Sequence, residues 1–250
     1  MENLLFLLAL TVICGALLYQ GCRYLPQERW QVLASVPVRQ EPGGWQGVNL
    51  TYYGVLTANA YVMALLMLIV LLRAVAIDLT PLLVLAVLLL GICVPASRWV
   101  AKVVEGKAHT FTVGGAVFVG IVVAPWLIAL INLTADTPRL PILATLAALG
   151  IAYAMGEGLG RLACISFGCC YGKPLSACSP LLRKLFRHFN FVFHGETKKI
   201  AYASGLQGQP VVPIQALTAV LYVGVSLIGS VLFLLGQYAW AFMLTAVVTQ

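Results

Sequence analysis

Long unbroken runs of apolar residues, separated by short polar breaks, dominate the chain. They cover residues 4–20, 52–72, 82–101, 111–131, 142–159 and 214–235, and another begins at Tyr238. These first six runs are close to the roughly 20 residues that an α-helix needs to cross the hydrocarbon of a bilayer. A membrane-spanning barrel would instead show short strands of alternating polarity, and such strands are absent from the pattern. The pattern predicts an all-α polytopic membrane protein with about seven transmembrane helices. The first run is read as a retained span, because Glu2 stands where a secretory signal carries a cation and no small-residue cleavage site precedes Arg23. The seventh run has only 13 residues before Gln250, so the natural chain is expected to continue.

The polar breaks predict further elements. Residues 22–40, CRYLPQERWQVLASVPVRQ, place Trp30, Leu33 and Val36 at helical spacing against Glu28, Arg29 and Gln31, with Pro26 at a helix start. That spacing predicts an interfacial amphipathic helix. A turn-rich EPGGWQG follows at 41–47, and Tyr52 and Tyr53 stand where interface aromatics are expected. Asp78 and Pro81 form one tight turn, and Asp136, Pro138 and Pro141 another. Gly114 and Gly115, early in the fourth run, permit close approach of a backbone or ligand. The longest polar stretch is 161–212, an expected extramembrane head loop.

Composition agrees with the pattern: 61% of the residues are apolar and 9% charged, against about 25% charged in soluble domains. Charge then adds a feature. The head loop holds seven Lys and Arg against one acid, Glu196, and so carries nearly all of the net charge of +7. Its run RKLFRHFNFVFHGETKK interleaves bases with Phe186, Phe189, Phe191 and Phe193. Next to a membrane span such a surface suits anionic lipid headgroups better than nucleic acid, and no nucleic-acid partner is expected. His188 and His194 read as surface residues. Loops 1–2, 3–4 and 5–6 hold 3, 3 and 7 basic residues, which by the positive-inside rule would be cytoplasmic.

The candidate chemistry lies between Gly156 and Pro174. Glu157 and Arg161 are four residues apart, so on a helix they share a face in the favourable acid-before-base order. Ionisable residues at a span end either close the helix as an ion pair or face a functional cavity. Cys164, Cys169, Cys170 and Cys178 follow, but C-x4-C-C-x7-C lacks the paired C-x2-C of zinc ribbons, and no metal is expected. A thiolate near Arg161 and simple packing of a tight turn remain the two readings of these cysteines. An odd total of seven argues against a disulfide scaffold. GEGLG is not a dinucleotide fingerprint, and no cofactor is expected.

At these residues the sequence resembles the prolipoprotein diacylglyceryl transferase family, bacterial inner-membrane enzymes that move diacylglyceryl from phosphatidylglycerol to a lipobox cysteine. Gly160 to Pro174, GRLACISFGCCYGKP, is similar to a family variant reading G-R-x-G-C-F-x-x-G-C-C-Y-G-[KR]-P. Tyr52-Tyr53-Gly54 resembles the family's W-Y-G, Arg98 an arginine at the end of the next helix, Val113-Gly114-Gly115 its H-G-G, and Pro213-Ile214-Gln215 its P-x-Q. The resemblance covers residues 51–250, leaving 1–50 as an added membrane helix and interfacial segment. It implies that Arg161, with Arg98, holds a lipid phosphate, and that Tyr53 and Gln215 orient headgroup or thiol. Gly114, Gly115, Gly168 and Gly172 would allow close packing around the lipid, and Glu157 and Cys169 complete the candidate catalytic set. The implied partners are phosphatidylglycerol or another anionic phospholipid and a lipobox-containing prolipoprotein. The implied location is the bacterial inner membrane with the head loop outside, opposite to the charge count, and the resemblance is preferred on this point. The sequence departs from the pattern at Val113 (histidine), Cys164 (asparagine), Cys169 (glutamate) and Thr218 (glutamate); His109 would share a helical face with position 113. The departures keep a second function in view, a non-catalytic lipid-binding or structural subunit of a membrane complex, and a third, a thiol-redox protein using Cys164, Cys169 and Cys170.

Overall fold

The computed structural model describes residues 2–104, 106, 113–134 and 140–249. His109, Asp136 and Pro138 lie outside the described residues. Within them the protein is an all-α polytopic membrane protein. Six helices are long and apolar enough to cross a bilayer: α1 (Glu2–Tyr24), α2 (Tyr52–Ala74), α3 (Leu79–Val103), α4 (Val113–Thr134), α5 (Ile142–Phe167) and α8 (Ile214–Leu234). α9 (Tyr238–Thr249) has 12 residues and is shorter than a span. The helices are apolar all round, and many of their large side chains, such as Leu4, Val62, Leu90, Trp126 and Val220, are exposed. Lipid rather than water is the solvent such surfaces fit.

The residues form two compact units, Met1–Ala64 with Tyr153–Leu227, and Leu65–Ala152 with Ile228–Gln250. The candidate chemistry falls in the first. There, α1 packs on α5 through Cys14, whose thiol meets the Met155 sulfur at 3.7 Å. Small residues let α5 approach its other neighbours. A methyl group at Gly156 would come within 2.9 Å of Ala64 on α2, and one at Gly158 within 2.8 Å of Val223 on α8. Helices in lipid associate through such close contacts because no hydrophobic gain is available between them. In the second unit Asn132 clamps the start of α5, donating to the Leu140 carbonyl (2.9 Å) and accepting from the Leu140 amide (2.6 Å). Arg73 at the end of α2 lies 3.8 Å from Asp78, with both side chains exposed.

Two expectations about secondary structure are corrected. The segment 22–40, expected as an amphipathic helix, instead ends in the first strand of a β-hairpin, β1 (Val32–Glu41) paired antiparallel with β2 (Gly44–Thr51), with Val36 opposite Val48 and Gln40 opposite Trp45. Val32, Ala34, Val36 and Val38 alternate with Leu33, Ser35, Pro37 and Arg39, a period-2 pattern that the helical spacing of Trp30, Leu33 and Val36 masked. Pro37 also fits badly inside a helix, and here it sits where the register shifts, between Pro37 and Arg39. Secondly, α5 does not end near residue 159 but runs on to Phe167, so Arg161 and Cys164 are helical and the head begins at Gly168. Nothing between Pro141 and Gly168 interrupts a helix except glycines, which are tolerated where neighbouring helices pack on them.

The head of the first unit, residues 168–213, is built from short pieces: a 3-10 turn (Leu175–Ala177), α6 (Pro180–Leu185), β3 (Phe191–Val192), α7 (Lys199–Ser204) and β4 (Pro210–Val211), with β3 and β4 paired antiparallel. It is tied to the chain that follows α1. The His194 amide donates to the Pro26 carbonyl at 3.0 Å, and Gly195, at φ 111°, lies so close to the Arg29 backbone that a side chain there would meet it at 2.9 Å. Lys198 is fully buried beneath this seam. Its Nζ donates to the carbonyls of Leu25 (2.9 Å) and Ser166 (2.6 Å), the latter one of the last carbonyls of α5. A cation there complements the negative end of the helix dipole.

Candidate functional site

The site grows from the C-terminal end of α5. That helix closes with a Schellman cap. Gly168 adopts φ 66° after the last helical turn, its amide donates to the Ile165 carbonyl (3.2 Å), and the Cys169 amide donates to the Cys164 carbonyl (3.1 Å). This pairing of a 5→2 with a 6→1 hydrogen bond brings the third residue before the cap against the second one after it. Here those two positions are Cys164 and Cys169. Cys170 then takes a left-handed conformation at φ 55°, rare for a residue with a β-carbon, and turns back towards them. The sulfurs of Cys164, Cys169 and Cys170 all lie within 4.8 Å of one another.

One and two turns earlier on the same helix, Arg161 and Glu157 form an ion pair between Nη2 and Oε1. Both side chains are largely buried, with exposures of 25% and 17%. Tyr153, a further turn back, and Tyr222 from α8 lie within electrostatic reach of the guanidinium or its carboxylate. The Arg161 charge also reaches Cys164 and Cys170. Its Nε is buried and has no hydrogen-bond partner among the described residues. From α2, Tyr53 stands with its ring 5.7 Å from that of Phe167, edge to face, and it interacts with the same three cysteines. From the first turn of α8, Gln215 is 1% exposed. Its Nε2 donates to the Cys169 carbonyl at 2.8 Å, and its Oε1 has no hydrogen-bond partner among the described residues.

Among groups outside the spans, Cys169 and Cys170 move in opposite directions. Hydrogen bonding to Cys164 and then Cys170 raises the Cys169 thiol. Cys170 is lowered, because its thiolate accepts from the thiols of Cys164 and Cys169 and because Arg161 and Lys199 are nearby. One sulfur in three therefore holds negative charge most readily. Burial pushes Lys198 down to about 8.

No protein-family model matches the chain. No curated protein and no solved structure matches it either. The site therefore stands on its own geometry.

Of the residues singled out in the sequence, Arg161, Glu157, Tyr53, Cys169 and Gln215 come together in the first unit. Arg98, exposed on α3, and Gly114 and Gly115, on α4, belong to the second. Gly168 serves the helix cap, and Gly172 seats against the chain itself, where a methyl group would come within 2.9 Å of the Val212 side chain. Thr218 turns its hydroxyl back to the Ile214 carbonyl at 2.9 Å. Residues that the sequence reading missed are Tyr153, Tyr222 and Lys198. Tyr153 had a signal, since 153, 157 and 161 repeat every four residues on one helical face. The convergence of the cysteines had one too: a C-x4-C with glycine before the second cysteine is the spacing that a Schellman cap closes.

Proposed function

We propose that the protein is a membrane transferase of the diacylglyceryl type, acting on phosphatidylglycerol or a related anionic phospholipid and on a lipobox cysteine in a bacterial plasma membrane. The carrying observation is the largely buried side chain of Arg161, fixed on one side by Glu157, with a buried Nε that has no hydrogen-bond partner among the described residues. A guanidinium with an unused N–H in a poorly solvated site suits a lipid phosphate, whose oxygens accept in the geometry that arginine offers. In the reaction the acceptor sulfur bonds to the glyceryl carbon that carries the phosphate ester. The carbon–oxygen bond breaks, and glycerol phosphate leaves with the electron pair. Arg161 stabilises the charge gathering on that phosphate. Glu157 takes the thiol proton, Cys169 lies beside the reacting centre, and Tyr53 and the Oε1 of Gln215 orient the glycerol hydroxyls or the thiol.

Protein supplied with phosphatidylglycerol and a lipobox peptide is expected to form the thioether and release glycerol phosphate. Arg161→Ala should lower turnover by about 100-fold or more, the scale seen when a transition-state charge loses its donor. Arg161→Lys should recover only part, because the planar fork is lost. No product from the wild type, while an authentic diacylglyceryl transferase works alongside, would sink the proposal.

A second reading, a non-catalytic subunit of a membrane complex, draws on the hairpin. β1 and β2 are exposed almost throughout and carry Val36, Val38, Trp45 and Val48 without cover. It predicts stable co-purification with a partner and no transfer reaction that responds to Arg161→Ala.

A further inference from the structure

We propose that Cys164, Cys169 and Cys170 form a three-thiolate site for a thiophilic d10 metal ion, Zn²⁺ or Cu⁺. The proposal does not depend on the transferase reading. The observation behind it is convergence: three sulfurs from two sides of a helix cap lie within 4.8 Å of one another. A metal bound at about 2.3 Å to each sulfur needs sulfur–sulfur separations of about 3.8 Å in tetrahedral and about 4.0 Å in trigonal geometry. The cluster therefore has to contract by less than an ångström or so, within the reach of cysteine χ1 adjustments. Soft thiolates select these two ions over the harder divalent cations.

Two features distinguish the cluster from cysteines that merely pack. Cys170 is exposed and holds φ 55°, a conformation that costs a β-carbon residue of order 1 kcal/mol or more. Packing gives no return for that cost, whereas the turn aims its sulfur at the other two. The cap hydrogen bonds, meanwhile, fix Cys164 and Cys169 in register without any metal, so two of the three ligands are preorganised. A disulfide would use only two of the sulfurs and leave the third without purpose.

Charge also fits. The Arg161 guanidinium acts on Cys164 and Cys170, and a cation there offsets part of the negative charge of three thiolates. Binding displaces the thiol protons to solvent. Three protein ligands leave a fourth position for an exogenous donor, with the Tyr53 side chain within electrostatic range.

The test is metal binding by the full chain in detergent. Reduced protein is titrated with Zn²⁺ and, in a separate anaerobic arm, with Cu⁺, and the bound metal is counted by mass spectrometry. Cobalt substitution adds a thiolate-to-metal charge-transfer band in the near ultraviolet. About one ion per chain is expected in one arm, with the arm that wins naming the ion. Each of Cys164→Ser, Cys169→Ser and Cys170→Ser should weaken binding by about tenfold or more, while Cys93→Ser and Cys178→Ser leave it unchanged. Wild-type protein that binds neither ion, or that binds Zn²⁺ while its cobalt form lacks the thiolate band, overturns the proposal, and that result needs no variant to fold. Protection of the three thiols from alkylation by the metal, and by nothing else added, is the confirming counterpart.

Discussion

Lys198 shows how a single side chain joins two parts of the chain. It is fully buried, holds the carbonyls of Leu25 and Ser166, and lies 5.8 Å from the Phe193 ring centroid, close enough for a cation–π contact. Burial lowers its pKa to about 8 from an ordinary 10.5. Between those values the unfolded chain binds more protons than the folded one, so stability rises with pH across that window; below about 8 both states are charged and the full burial cost remains. The shift corresponds to about 3 kcal/mol at most. Reversible unfolding in detergent is expected to give a midpoint that climbs from pH 8 to pH 10 in the wild type, and a flatter profile in Lys198→Met. Identical slopes in the two proteins would rule out Lys198 as the source. In the sequence Lys198 and Lys199 are indistinguishable members of a basic run, and only the fold buries one and exposes the other. Arg161 and Glu157 were legible because charges at the end of an apolar run stand out without any fold. Gln215 was reached through the family resemblance alone, since a glutamine after a proline carries no signal of its own.

Among the elements, α5 does the most to organise the first unit. It carries Glu157, Arg161 and Cys164, and its glycines admit α2 and α8. Gly158 is the tightest of these contacts that involves another backbone: a methyl group would meet the Val223 amide nitrogen at 3.0 Å and the Ala219 carbonyl oxygen at 3.2 Å. Backbone cannot swing aside as a side chain can. Gly158→Ala is therefore expected to destabilise by about 1–3 kcal/mol, as overpacking does, whereas Gly224→Ala on α8, with open space at the β-position, should be near neutral. Thermal unfolding of the two variants side by side measures the contrast. The spans themselves were legible because a bilayer demands long apolar runs. The hairpin was not, because a short segment with exposed residues on both faces satisfies period 2 and period 3.6 at once. The end of α5 was misjudged for a related reason: composition marks where lipid ends, not where a helix does, and α5 continues past the last strongly apolar turn until Gly168 supplies a left-handed cap.

On the scale of the whole molecule, the first unit gathers the candidate site, the head and the hairpin, and it draws them from two separate stretches, Met1–Ala64 and Tyr153–Leu227. α1 reaches the rest of that unit through side-chain packing on α5 and through hydrogen bonds from Lys198 and His194 to the chain just after it. The covalent path between α1 and α2, by contrast, runs out along the exposed strands and back through the turn at Pro42 and Gly43. Connectivity and cohesion are thus separated. A chain opened at that turn by an engineered protease site should stay assembled, with residues 1–42 and 43–250 migrating as one species in native detergent electrophoresis and parting only on denaturation. Dispersal of the pieces on cleavage would mean that the covalent link through the turn, rather than the buried seam around Lys198, holds α1 in place. If the pieces stay together, α1 is in effect a subunit that happens to be tethered, and a separately expressed first segment should complement a chain that lacks it.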